Sequence, residues 1–299
     1  MLKVEEMSYA KFMSKANFEK ALNSLIGIIQ GISADARINS REIEELQNWC
    51  LLQSDFQHLY PFKEIIPLVK ESVLDGILTQ DEIDDISWLC NNYLQTNHYY
   101  DVVTSDFHTL HGILYGIITD GTINYKELEY LKEWLDDHDH LETMFPYDEV
   151  YSLLHTVMKD GKLDSDEERL LKAFFADFVD TSSSYNINAT EIQQLKKEMN
   201  ISGICALGPN IEFEGKMFCF TGVSNRMKRS EIEEIILSRG GLFNNSVTKK
   251  TNYLIVGAAG NPCWAFSCYG RKIEQAINLR KQGTNIVIAN ELDFWDAIG

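Results

Sequence analysis

The stretch Phe213-Glu-Gly-Lys-Met-Phe-Cys-Phe-Thr-Gly222, with Thr251-Asn-Tyr-Leu-Ile-Val-Gly257 after it, decides the fold of the C-terminal third. Met217 to Phe220 reads as a strand ending in Thr221-Gly222. Arg229-Ser-Glu231 opens a helix whose apolar positions Ile232, Ile235, Ile236 and Leu237 lie mostly on one face. Gly240-Gly241 stops that helix, because glycine takes the left-handed conformation at no steric cost. Ser246 to Gly257 predicts a strand, a polar turn and a second strand. Lys272-Ile-Glu-Gln-Ala276 starts another helix, Asn285-Ile-Val-Ile288 predicts a last strand, and Asn290 to Ile298 a closing helix. Strands alternating with helices argue for a parallel sheet covered on both faces.

Taken together, Gly215 before the apolar strand, the Thr221-Gly222 turn, the Gly240-Gly241 stop and Trp295 at a core aromatic position resemble a BRCT domain. The likeness is to the kind found in NAD-dependent DNA ligases and the large subunit of clamp loaders, and it covers about the last 90 residues. It implies an α/β domain with a four-stranded parallel sheet, and a phosphate held by residues that match Thr221, Gly222, Arg229 and Lys272. The chemistry fits: a hydroxyl and an amide at a strand-to-helix turn donate hydrogen bonds, a helix N-terminus favours an anion, and two cations complete the shell. The alternative is that Thr221-Gly222 only shapes the turn while Arg229 and Lys272 are solvated. Two departures stand out: a long stretch between Gly257 and Lys272, and Gly270 where a hydroxyl residue often precedes the helix lysine.

Charge is divided unevenly. The 299 residues carry a net −18, yet from Ile211 onward 11 basic residues face 9 acidic ones. The first 210 residues therefore hold a net −20. Such a domain repels a duplex, so any nucleic-acid contact is expected to be local to the C-terminal part. The 44% hydrophobic content suits a globular protein with no membrane role. The start lacks a signal-peptide pattern, and six cysteines stand without a Cys-x-x-Cys pair, so a reducing cytoplasm is expected.

The acidic part repeats. Asp35-Ala-Arg-Ile-Asn-Ser-Arg-Glu42, Asp75-Gly-Ile-Leu-Thr-Gln-Asp-Glu82, Asp120-Gly-Thr-Ile-Asn-Tyr-Lys-Glu127 and Asp160-Gly-Lys-Leu-Asp-Ser-Asp-Glu167 share one pattern, the first and third, and the second and fourth, 85 residues apart. The same offset joins Gly27 to Gly112, Gly31 to Gly116, Trp49 to Trp134 and Pro61 to Pro146. An internal 85-residue duplication of a four-helix unit is expected. Asn39, Thr79, Asn124 and Asp164 are predicted helix caps, with Glu42, Glu82, Glu127 and Glu167 three residues on as capping-box partners. A cation reading of the same segments matches only the second half of a calcium loop. The earlier ligand positions (Gly31 and Ser33, Glu71 and Val73, Gly116 and Ile118, Thr156 and Met158) carry little acid. These segments and their helical spacing resemble the TerB-like family of acidic helical domains, a likeness that implies two such units in tandem.

The expected architecture is multidomain. A TerB-like all-α domain spans 1–180 (units about 15–95 and 100–180), a linker 181–210, and a BRCT domain 211–299. The linker has a polar break at Thr181 to Tyr185 and a short helix from Thr190 to Asn200, partly packed on the C-terminal domain. Cys263 and Cys268 beside Trp264, and His138 and His140 among Asp136, Asp137 and Asp139, are weak metal candidates, better read as packed and solvated loops. With no nucleotide-binding, hydrolase or nucleotidyl-transfer motif, no catalytic residue, metal or cofactor is expected. The expected function is a non-catalytic adaptor. Its BRCT domain would bind phosphate-bearing DNA ends or nicks, in DNA repair or genome defence, the alternative being a phosphate-independent protein-protein scaffold. A divalent-cation-responsive helical domain is the third reading.

Overall fold

The computed structural model describes residues 2–35, 38–96, 99–142, 144–182, 184–198, 206, 209–224, 226–257 and 271–299, with side chains from residue 15 onward except at 197, 271 and 274. Two compact units are formed, Met1–Trp134 with Asp164–Lys196, and Leu135–Leu163 with Lys197–Gly299.

The first unit is helical. Its helices are α1 (Leu2–Ser33), α2 (Ser40–Leu52), α3 (Phe62–Ser72), α4 (Gln80–Thr96), α5 (Val102–Ile118), most of α6 (Tyr125–Asp137), α8 (Ser165–Phe175) and α9 (Ala189–Glu198). The helix α7 (Tyr147–Val157) belongs to the second unit. Bounds recur at the repeat spacing: α2 and α6, the single 3-10 turns Ser54–Phe56 and Asp139–Leu141, and α3 and α7 all start and end 85 residues apart. The cis peptides Tyr60–Pro61 and Phe145–Pro146 do the same.

Glycines explain how α1 and α5 meet. A Cβ on Gly27 would lie 2.1 Å from the Thr109 carbonyl oxygen, and one on Gly112 2.4 Å from that of Ser24. Gly31 and Gly116 are matched in the same way, at 2.5 Å from Ile113 O and 2.6 Å from Ile28 O. The two helices therefore cross backbone to backbone, each lending two glycines four residues apart. Leu22, Leu25, Ile29 and Ile32 of α1 are fully buried beside them, with Phe62, Ile65 and Ile86 completing a core.

All four predicted capping boxes form. The Glu42 carboxylate accepts from Asn39 N–H at 2.7 Å, Glu82 from Thr79 at 2.8 Å, Glu127 from Asn124 at 2.8 Å and Glu167 from Asp164 at 3.0 Å. The Asp-Gly aspartates fold back on their own turns. Asp75, Asp120 and Asp160 accept from the N–H groups of Ile77, Thr122 and Lys162. The first and third segments also join each other: Asn39 donates to Asp120 at 2.8 Å and Asn124 to Asp35 at 3.1 Å, a reciprocal pair. The leading aspartates of these segments are thus tied into turns or, for the first and third, into cross-bonds.

Burial pushes the Glu42 and Glu127 carboxyls up to about 8; the N–H groups of Asn39 and Asn124 oppose this, while Asp120 and Asp35 add to it. Both folded values lie above the roughly 4.3 of an unfolded glutamate. Their stabilising contribution is therefore complete below that pH and lost as pH rises through about 8. The melting temperature of the helical unit is expected to fall from pH 5 to 8.5. Glu42→Gln with Glu127→Gln, which keep the cap acceptor, should flatten that fall. An unchanged slope in the double variant would contradict the assignment.

Two buried carboxylates bind distant backbone. Glu19 accepts from the N–H groups of Tyr99 and Tyr100 and from Ser105 Oγ. Glu45 accepts from Ser184 Oγ, from the N–H groups of Tyr185 and Asn186, from Asn48, and from Tyr115 Oη at 2.7 Å. Burial alone would raise the Glu45 carboxyl, but the bonds from Ser184, Tyr115, Asn186 and Asn48 together hold it below the usual range. Residues 184–186, inside the segment read as a linker, are fastened to α2 in this way.

The second unit holds a four-stranded parallel sheet of order β2-β1-β3-β4, with β1 Met217–Thr221, β2 Leu242–Phe243, β3 Tyr253–Val256 and β4 Val287–Asn290. Its helices are α10 (Arg229–Ser238), α11 (Arg271–Lys281) and α12 (Glu291–Ile298). Alternation along β1 serves both faces. Phe218 and Phe220 pack with Ile232 and Ile236 of α10 and Phe294 and Trp295 of α12. Cys219 points the other way, to Ile273 and Ala276 of α11. Two strand predictions shift. The strand read at Ser246 lies instead at Leu242–Phe243, directly after the Gly240-Gly241 stop, while residues 246–251 form a turn in which Thr248 N–H donates to Thr251 Oγ1. The last strand moves two residues on, because Asn290 both ends β4 and caps α12 through Leu292 N–H.

In the same unit, Arg280 of α11 is 3% exposed and reaches α7. Its Nε donates to Glu149 Oε1 at 2.6 Å and Nη2 to Oε2 at 2.9 Å, a bidentate pair, with Asp148 Oδ2 at 3.5 Å. Its Nη1 donates to the Ile286 carbonyl. This contact helps group residues 135–163 with the C-terminal residues.

Candidate phosphate and nucleic-acid site

The C-terminal end of a parallel strand presents backbone that the next turn leaves open, and ligands in open α/β sheets bind there. At the end of β1, Thr221 is half-buried opposite Val256 in register, and its carbonyl accepts from Gly257 N–H at 2.9 Å. Gly222 follows with φ +78°, the left-handed region. Gly257 lies against the same turn, where a Cβ would come 2.5 Å from Val223 O. Both glycines are thus required, one by dihedral angle and one by space.

Two cations converge here from different helices. Lys272, second residue of α11, donates from Nζ to the Phe220 carbonyl at 2.9 Å. Arg229, first residue of α10, donates from Nη2 to the Gly222 carbonyl at 3.4 Å and stands over the Phe220 ring, 5.9 Å from its centroid. All four predicted residues, Thr221, Gly222, Arg229 and Lys272, therefore gather around the last turn of β1. Burial raises the Cys219 thiol below them, and Lys272 and Arg229 pull it partly back.

The loop between β1 and α10 is fixed by residues that the sequence reading did not single out. Ser224 Oγ accepts from the N–H groups of Arg226 and Met227 and donates to Glu291. Glu291, 1% exposed, also accepts from Trp295 Nε1 at 2.9 Å. Arg226 covers the Trp295 ring at 5.5 Å. Trp295 was legible as a core aromatic, but nothing in the local pattern ties Ser224 to a carboxylate 67 residues away. Glu231 accepts from Lys228 N–H at 2.7 Å, so α10 already carries one carboxylate at its first turn. An incoming anion there depends on the two cations more than on the helix end.

Residues 209–281 match the family model for the BRCA1 C Terminus (BRCT) domain. The C-terminal region carries a BRCT domain. Its sequence relatives include DNA ligases. That of Petrotoga mobilis is 33% identical over 115 residues, 36% of this chain and 15% of the ligase. The enzyme of Syntrophus aciditrophicus is 34% identical over 113 residues, 38% of this chain and 15% of the ligase. That of Thermoanaerobacter pseudethanolicus is 42% identical over 71 residues, 23% of this chain and 11% of the ligase. The chain thus spans about 15% of the length of the first of these relatives, in the BRCT region. No solved structure matches it.

Gly270, Cys263, Trp264 and Cys268, all before the helix that bears Lys272, lie outside the described residues. The rings of His138 and His140 sit 5.8 Å apart. Among the described residues no group of three or more His, Cys, Asp or Glu is placed to hold a metal ion, and no helix is long and apolar enough to cross a membrane.

Proposed function

We propose that this chain is a non-catalytic, cytoplasmic adaptor whose BRCT domain binds phosphate-bearing DNA ends or nicks, in DNA repair or genome defence. The observation behind this reading is the convergence of Lys272 and Arg229, from two separate helices, on the Phe220–Gly222 turn. A terminal phosphate offers oxygens for both cations, for the Thr221 hydroxyl and for turn amides. The −20 charge of the first 210 residues disfavours a duplex there and leaves DNA contact to the C-terminal domain, which suits an end or a nick rather than a long duplex tract. The helical part, read as tandem TerB-like units, acts as the recruiting arm.

The test uses the full chain, since residues 135–163 group with the BRCT domain. Anisotropy of labelled duplexes with and without a 5′-phosphate should show tighter binding of the phosphorylated end. Lys272→Glu should cost at least about tenfold, or 1.4 kcal/mol, and flatten the salt dependence by about one charge. Equal affinity for both ends would reject the reading.

A second reading, a phosphate-independent protein scaffold, draws on Val223 and Met227, which are 66% and 43% exposed in the loop beside the site. A complex that survives Lys272→Glu and ignores phosphate would favour it.

A further inference from the structure

The two halves of the helical region differ at and just before α4. In the first half, Leu74 is 80% exposed, Ile77 59% and Trp88 66%. Leu74 and Ile77 lie in the turn that leads into α4, and Trp88 lies on α4 itself. At the positions 85 residues on, the chain has Lys159 and Lys162, both exposed, and Ala173, fully buried. Where the second half is polar or covered, the first half presents large apolar side chains to solvent. Large exposed apolar side chains mark interaction sites, and tryptophan is among the residues enriched at interface hot spots.

The charges on α4 itself are all acidic. Asp81, Asp84, Asp85 and Trp88 occupy positions i, i+3, i+4 and i+7 of α4, a single stripe, and all four are exposed. Three carboxylates flanking an aromatic anchor repel nucleic acid and anionic lipid. They equally disfavour a second copy of the chain: a two-fold contact would set this stripe against itself, acid on acid.

We infer that the α4 face is a docking surface for a positively charged amphipathic segment of another protein, whose apolar side chains cover Trp88, Leu74 and Ile77 while its lysines or arginines meet Asp81, Asp84 and Asp85. The surface is separate from the phosphate site, and the inference stands whether or not that site binds DNA.

The test is fluorescence anisotropy of the full chain with a short labelled helical peptide of leucine and lysine at amphipathic spacing, and with its leucine–glutamate analogue. The lysine peptide should bind and the glutamate peptide should not. Trp88→Ser should weaken binding at least about tenfold, as for an interface anchor, and Asp84→Asn with Asp85→Asn should do the same. Asp166→Asn, at the position corresponding to Asp81 on α8, should leave it unchanged. Because Trp88 and the aspartates are exposed, circular dichroism should show all variants folded. Unaltered binding by Trp88→Ser, or an equal loss from Asp166→Asn, would reduce the effect to general charge attraction and overturn the inference. A Trp88-dependent dimer in sedimentation would also overturn it, in favour of a second copy.

Discussion

Gly112→Ala is expected to destabilise the helical unit by about 3 kcal/mol, at the upper end of ordinary overpacking. At an exposed helix position the same change stabilises by about 1 kcal/mol, so the sign itself is diagnostic. Here the new methyl would stand 2.4 Å from the Ser24 carbonyl and 3.0 Å from the Gly27 Cα. Both are main chain of a facing helix, which cannot rotate away as a side chain would. The helices must separate, and the packing of Leu22, Leu25 and Ile29 loosens with them. Gly27→Ala meets Thr109 O at 2.1 Å and should act alike. The double variant should lose less than the sum, since one separation accommodates both methyls. Urea unfolding followed by helical circular dichroism measures this; unchanged or raised stability in Gly112→Ala would refute the close crossing.

The second large effect concerns Arg280. Arg280→Met should cost about 3–5 kcal/mol, the range for removing one partner of a buried pair. The reason is less the lost attraction than what remains: Glu149 and Asp148, 6% and 7% exposed, would keep their charges without a cation. A buried carboxylate without a cation is costlier charged than neutral, so the residual stability of the variant should be greater at low pH and fall as pH rises. Adding Glu149→Leu should restore much of the loss, because an apolar contact of similar size replaces the pair. Denaturant titrations at pH 5 and pH 8 separate these cases. Equal stability of Arg280→Met and wild type at both would show that the pair carries no weight.

How much of this was legible in the sequence depended on distance along the chain. The capping boxes are events within three residues, and Asn39, Thr79, Asn124 and Asp164 could each be matched with its glutamate from spacing alone. The β1 turn was equally readable, since Thr221-Gly222 combines an apolar run with a residue that must be glycine. Strand edges were less so. Val247 reads as strand by composition, yet its burial comes from packing with Ile273 and Ala276 rather than from pairing. The reach of Glu45 to residues 184–186, of Glu19 to Tyr99 and Tyr100, and of Arg280 to Glu149 was invisible. Each joins groups 80 or more residues apart, and no local pattern announces such a partner. At the candidate site, the residue types were legible from family resemblance, but Ser224 and Glu291, which set the loop, were not.

The chain passes between its two compact units at residues 134–135, 163–164 and 196–197. During synthesis this sets an order of completion. Residues 135–163 emerge early but belong with a sheet whose last strand is made more than 120 residues later. Until then Asp148 and Glu149 await an arginine still to be translated, and the helical unit itself closes only once residue 196 has left the ribosome. The second unit is begun before the first is finished, so a product truncated between residues 135 and 196 leaves both incomplete.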